Sequence, residues 1–178
     1  MRKKNLSITL RLIPLILVGI IFLIGNNSRN EAEGFAIYLP EEDIPTAQLI
    51  LSNVKLEQAP FISVKEIKTY NALTHELTLT SNAFNRILDL EVSVYGKPFI
   101  VCVDKKPIYC GAFWTPISSI SFDGVTICKP LDSQKSDTIK LELGYPSSNF
   151  YGGEDPRENE DILKSLQKAG KLIGILCT

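Results

Sequence analysis

His75 is the only histidine in the chain, and a lone histidine cannot assemble a metal cluster. It lies at the end of the polar stretch Asn71-Ala72-Leu73-Thr74-His75, beside a strand start, and reads as a surface turn residue. To work as a general base it needs a nucleophile within hydrogen-bond reach, and nothing in the sequence marks one. The four cysteines are Cys102, Cys110, Cys128 and Cys177. No two of them form a C-x-x-C pair, which argues against a redox motif or a zinc ribbon. With a two-residue turn at Lys105-Lys106, Cys102 faces Tyr109 and Cys110 faces Val101, on opposite sides of the sheet. The thiols read as free, small hydrophobes, or with Cys102 or Cys110 bonded to Cys128 on a neighbouring strand. Ser118 and Ser119 lack the G-x-S-x-G elbow of a hydrolase.

The acidic run from Gly152 to Asp161 lacks the alternating ligand spacing of a calcium loop. Its acids are explained by the positive end of a following helix. The sequence therefore indicates no catalytic set, no metal site and no cofactor. Its most distinctive stretch is Phe113-Trp114-Thr115-Pro116-Ile117-Ser118-Ser119. Aromatic residues at a hairpin end, followed by proline, can line a peptide groove or close a core under a loop. Phe113, Trp114 and Pro116 are the candidate contact residues.

These residues must be positioned by local structure. Phe35 to Leu39 is an apolar run ended by Pro40, which predicts a first strand. Residues 40–60 carry three prolines and no clean period, so irregular structure is expected there. Ser63 predicts a capped helical turn. Lys68–Tyr70 and Glu76–Thr80 read as strands flanking the polar stretch, the second alternating polar and apolar. Ala83, Phe84, Ile87 and Leu88 form one stripe of a helix over 81–90, with Thr80 or Ser81 as N-cap. Phe99–Val103 and Ile108–Phe113 predict a hairpin through residues 104–107. Two more strands are expected within 117–129 and 137–145. A second helix is expected with Asp155 as N-cap, Pro156 at its first position and Glu158 closing a capping box. Ile162, Leu163 and Leu166 give its apolar stripe and Gly170 its end. The expected class is α+β: a mostly antiparallel sheet, two amphipathic helices packed on one face, and an N-terminal membrane helix in front.

The leader sets the expected compartment. Arg2, Lys3 and Lys4 precede an apolar stretch densest from Leu12 to Ile24, the layout of an export signal. From Leu6 to Gly25 the segment is long enough to cross a bilayer. No A-x-A-like cleavage site follows, so residues 1–25 read as a single-pass anchor, with a cleaved signal peptide and a buried soluble helix as alternatives. Residues 26–34 read as a linker and 35–178 as one extracytoplasmic domain. The whole chain has 178 residues, 44% hydrophobic and 22% charged, with 19 basic and 20 acidic side chains. That balance excludes a disordered tail, a collagen-like chain and a multi-pass membrane protein. Without Arg2, Lys3, Lys4 and Arg11 the remainder is mildly acidic, which argues against nucleic-acid binding and polybasic membrane binding.

The segment from Leu79-Thr80 through the Ala83-Phe84 helix, Gly96–Asp104, the lysine turn and Ile108–Gly111 resembles the extracytoplasmic loop of SecD, a subunit of the protein-export translocase. Residues 162–172 are similar to the SecD helix closing with "L-x-x-G-x-L", so the likeness covers about 76–172. The chain departs from SecD at Cys110–Trp114, where that family has an "S-A-P" corner, and in having at most one membrane span. Pro98–Asp104 and Gly111–Val125 more closely resemble short, uncharacterised bacterial exported proteins with the pattern G-A-F-W-x-P-[IL]-S-S. The resemblance implies a fold and an extracytoplasmic setting, not translocase activity. The leading expectation is a membrane-anchored or secreted non-enzymatic module that binds a protein, an extended peptide or another envelope component. An exported thiol- or serine-dependent enzyme and a structural subunit of an envelope complex are the alternatives.

Overall fold

The computed structural model describes residues 33–131 and 137–174. The expected membrane helix, most of the linker and Cys177 lie outside those residues. Among the described residues, no helix is long and apolar enough to cross a membrane.

The elements in chain order are β1 (Phe35–Tyr38), β2 (Ile62–Ser63), β3 (Ile67–Asn71), β4 (Glu76–Leu79), α1 (Ser81–Asp89), β5 (Lys97–Val103), β6 (Lys106–Trp114), β7 (Phe122–Cys128), β8 (Thr138–Lys140), β9 (Glu142–Tyr145), α2 (Glu160–Lys168) and β10 (Leu172–Ile173). The class is α+β, with mostly antiparallel pairing and two helices. The strands form two sheets rather than one, in the orders β2-β1-β5-β6-β7-β9 and β10-β3-β4-β8. Pairing is parallel between β6 and β7 and between β10 and β3.

Local chemistry explains the starts and stops. The Thr80 hydroxyl accepts from the Ala83 amide and opens α1, which buries Ala83, Phe84 and Ile87. A β-branched N-cap of this kind satisfies a donor that the first helical turn leaves unpaired. Ser63 and Glu66 form a reciprocal capping box around a short 3-10 turn, so the helical turn expected at Ser63 is present. The second helix starts later than expected. Asp155 caps a separate 3-10 turn, Pro156–Glu158, and α2 begins at Glu160 with Asn159 as its cap. The carboxylate of Asp155 is engaged by the amide and guanidinium of Arg157 instead. Gly170, at φ +68, ends the turn after α2; that backbone conformation favours glycine.

One core cluster draws on both sheets and both helices, including Phe35, Leu77, Phe84, Phe99, Phe113 and Leu166. The opposite face of the six-stranded sheet is covered too. Ala36, Tyr38, Ile100 and Cys102 pack there against Leu49, Leu51, Val54 and Leu56 from the irregular 40–60 segment. A sheet covered on both faces needs strands that are apolar at successive positions, and β5 is buried from Pro98 to Cys102.

The hairpin turns one residue earlier than expected, at Asp104-Lys105, where φ is 51° and 64°. Cys102 then lies opposite Pro107 and Cys110 opposite Ile100, with a bulge beside Cys102. Residues 100 and 102 share one face, so Cys102 and Cys110 lie on the same side of the sheet, not on opposite sides. Diagonal neighbours of this kind sit about 7–8 Å apart at Cα, too far for a disulfide. Cys128 pairs with Trp114, four residues along β6 from Cys110, about 13 Å away at strand rise. All three described cysteines are free. The strand expected over 137–145 is two strands. Leu141 interrupts it, buried, with its amide donating to the His75 carbonyl, and the chain passes from one sheet to the other at that point.

Candidate functional site

Strand β6 runs out at Trp114, and its end carries the distinctive aromatic stretch. Phe113 points into the main core, where its ring meets Phe99 at 5.2 Å and Phe61 at 5.5 Å. Trp114, its neighbour along the strand, points to the other face. There it stacks on Phe122 at 5.1 Å and meets Tyr145 at 5.7 Å. Both are buried, Trp114 retaining 2% of its surface. Of the three expected contact residues only Pro116 is exposed. Phe113 belongs to the core and Trp114 forms the floor beneath a surface on the second face.

That surface is built by two loops. Ser118 is the pin between them: its hydroxyl donates to the Val94 carbonyl at 2.7 Å and accepts from the Ile120 amide at 3.1 Å. The Tyr145 hydroxyl donates to the carbonyls of Pro116 and Ser118, both at 3.1 Å. So held, the loops leave Val94, Tyr95, Ile117 and Ile120 bare, and Leu131 stands beside Pro116 across a small cleft. Ile117 is 76% exposed, Leu131 73% and Tyr95 69%. Two clefts of 340 and 790 Å³ flank the 91–96 loop and share Val92 and Lys129 in their walls. The sequence points to this stretch, and the structure buries two of the three side chains it singles out. Ile117, one residue past the proline, carries a signal of its own: a β-branched apolar residue in a Pro-Ile-Ser-Ser loop has no strand alternation to bury it.

A second cluster is buried and polar. His75 is 8% exposed, not the surface residue its turn position suggests. Its Nδ1 lies 2.8 Å from the Tyr70 hydroxyl. Arg157 reaches in from the 3-10 turn, donating to the Leu141 carbonyl at 2.7 Å and pairing with Asp155 at 2.6 Å. The hydrogen bonds from Arg157 hold the Asp155 carboxyl below its usual range. Burial, reinforced by the Arg157 charge, lowers the His75 pKa, while Asp155 and Glu158 oppose that shift. Burial also raises the Tyr109 phenol, whose hydroxyl has no partner among the described residues. The cluster joins β3, the β8–β9 junction and the 3-10 turn. Its imidazole Nδ1 is engaged by the Tyr70 hydroxyl.

Burial pushes Cys102 and Cys128 up to about 11 and raises Cys110 as well, so all three are protonated near neutral pH. Among the described residues, no group of three or more His, Cys, Asp or Glu side chains could hold a metal ion. No known protein family, curated protein or solved structure matches the chain.

The buried histidine has a measurable consequence. The fold accepts neutral imidazole, so its contribution is complete above the unfolded pKa of about 6.5 and is lost as pH falls through the lower folded value. The melting temperature should therefore drop as pH falls below about 6.5, and that drop should shrink in His75→Asn. Asparagine is chosen because residue 75 sits at φ 55°, which it tolerates. An unchanged pH slope in the variant contradicts this assignment.

Proposed function

We propose that this chain is a non-enzymatic extracytoplasmic module, anchored by or secreted through its apolar leader, that docks a protein of the cell envelope through the apolar end of its six-stranded sheet. The observation that carries the reading is the set of five bare apolar side chains: Val94, Tyr95, Ile117 and Ile120 on the loops pinned by Ser118 and Tyr145, and Leu131 across the small cleft from them. Three of them, Tyr95, Ile117 and Leu131, are each more than two-thirds exposed, and large apolar side chains bared together mark a contact surface. A surface held rigid before binding loses little freedom on association, which favours a docking role.

Protonated thiols and a tyrosine-bound histidine favour binding over thiol chemistry.

The test is photo-cross-linking in intact cells. A photoreactive phenylalanine analogue at Tyr95 should give a discrete protein adduct. The same probe at Lys65, exposed beside β2, should give none. Equal adducts from both positions, or none from Tyr95, would overturn the reading.

A further inference from the structure

We propose that the apolar end takes a second copy of this chain, in a two-fold pairing that seats the projecting side chains of each copy in the clefts of the other. This rests on the docking reading above and names its partner. An isologous interface requires one surface to carry both halves of its own complement. Here that condition is met in shape. Tyr95, Ile117 and Leu131 project, each more than two-thirds exposed. A cleft of 340 Å³ opens beside Leu131, and one of 790 Å³ opens between Tyr95 and residues 43–46.

It is also met in charge. The larger cleft is lined by Asp43 and Glu91 on one side of the balance and Lys97 and Lys129 on the other. Among the described residues, none of these four takes part in an ion pair, although six such pairs form elsewhere. Lys129 gives its ammonium to the Leu90 carbonyl. Glu91 and Lys97, close in sequence on either side of Tyr95, line the cleft without an ion-pair partner of their own. A two-fold axis through the surface brings Lys97 of each copy to Glu91 of the other, so the same contact is made twice. A partner with one dominant charge would satisfy half of this set and oppose the rest.

The experiment uses the full chain in its own membrane, expressed as two copies with different tags, one bearing the photoreactive probe at Tyr95. The expected adduct has twice the mass of the chain and carries both tags. Lys97→Glu in both copies sets two carboxylates against each other at each contact with Glu91 and should lower the yield about fivefold, a rim-charge effect counted twice. Pairing Lys97→Glu copies with Glu91→Lys copies restores opposite charges where the two variants meet and should recover the yield. An adduct with one tag and a different protein would overturn the second-copy assignment and leave the docking reading standing. No adduct at all would remove both. A two-tag adduct indifferent to the charge exchange would overturn the pairing described here.

Discussion

Trp114→Ala should lower the unfolding free energy by about 3–5 kcal/mol, the range for removing a fully buried large aromatic side chain. The indole retains 2% of its surface, stacks on Phe122 and tilts against Tyr145. Gly96 is shaped to it: at φ +80, a Cβ there would meet the six-membered ring of the indole. Truncation leaves a void bounded by two sheet strands and the pinned loops, and little of that wall can collapse inward. Urea denaturation read by far-UV circular dichroism measures the loss. A Trp114→Ala protein of native stability would mean that the indole does not hold up the apolar end.

Gly111→Ala should be comparably damaging, by about 3 kcal/mol or more. Gly111 lies in the middle of β6, between Phe99 and Val125 in neighbouring strands. A Cβ built there meets the Phe99 ring, whose Cε2 is 2.8 Å away, and the backbone carbonyl of Val125. A ring can tilt, but the carbonyl is fixed in the ladder, so the parallel β6–β7 pair would have to separate. Gly152 is the matched control. Nothing lies within 4 Å of its added Cβ, and Gly152→Ala should change stability by less than about 0.5 kcal/mol. If both alanine variants melt alike, the close packing of Phe99 over Gly111 is not what sets the spacing of these strands.

Legibility in the sequence follows the range of the interactions involved. Elements whose signals are local lie where the sequence places them: the Thr80-capped helix, the Ser63 turn, and the strands around the polar 71–75 stretch. Alternation also marks residues 137–145 as extended. It carries no information about which strand lies alongside, so the change of sheet at Leu141 is not visible in it. At Asp155-Pro156-Arg157-Glu158 the capping pattern is genuine, but a long-range demand prevails. Arg157 is drawn inward to the Leu141 carbonyl and takes the Asp155 carboxylate with it, and the cap on α2 passes to Asn159. His75 departs from expectation for the same reason. A turn position ordinarily faces water, yet here Tyr70 of the preceding strand bonds it and Arg157, distant in sequence, reaches in beside it.

The candidate site shows this most sharply. A run such as Ile108-Tyr109-Cys110-Gly111-Ala112-Phe113-Trp114 has no charged member to mark a solvent face. Such continuity is the mark of a strand covered on both sides, and both Phe113 and Trp114 are accordingly interior. Residue type points to the aromatics as contacts. Their alternation along β6 instead makes one of them core and the other the floor of the second face, and leaves contact to the smaller Ile117 and to Tyr95 of a separate loop.

The claim on which the account depends is that this bare end, and not its buried aromatic floor, meets the partner. Ile117→Asp tests it directly, in a chain carrying the photoreactive probe at Tyr95. Because Ile117 is exposed, the substitution should move stability by no more than about 0.5 kcal/mol, while a carboxylate in the middle of the apolar surface should abolish the adduct. An adduct of undiminished yield from the Ile117→Asp chain would contradict the account.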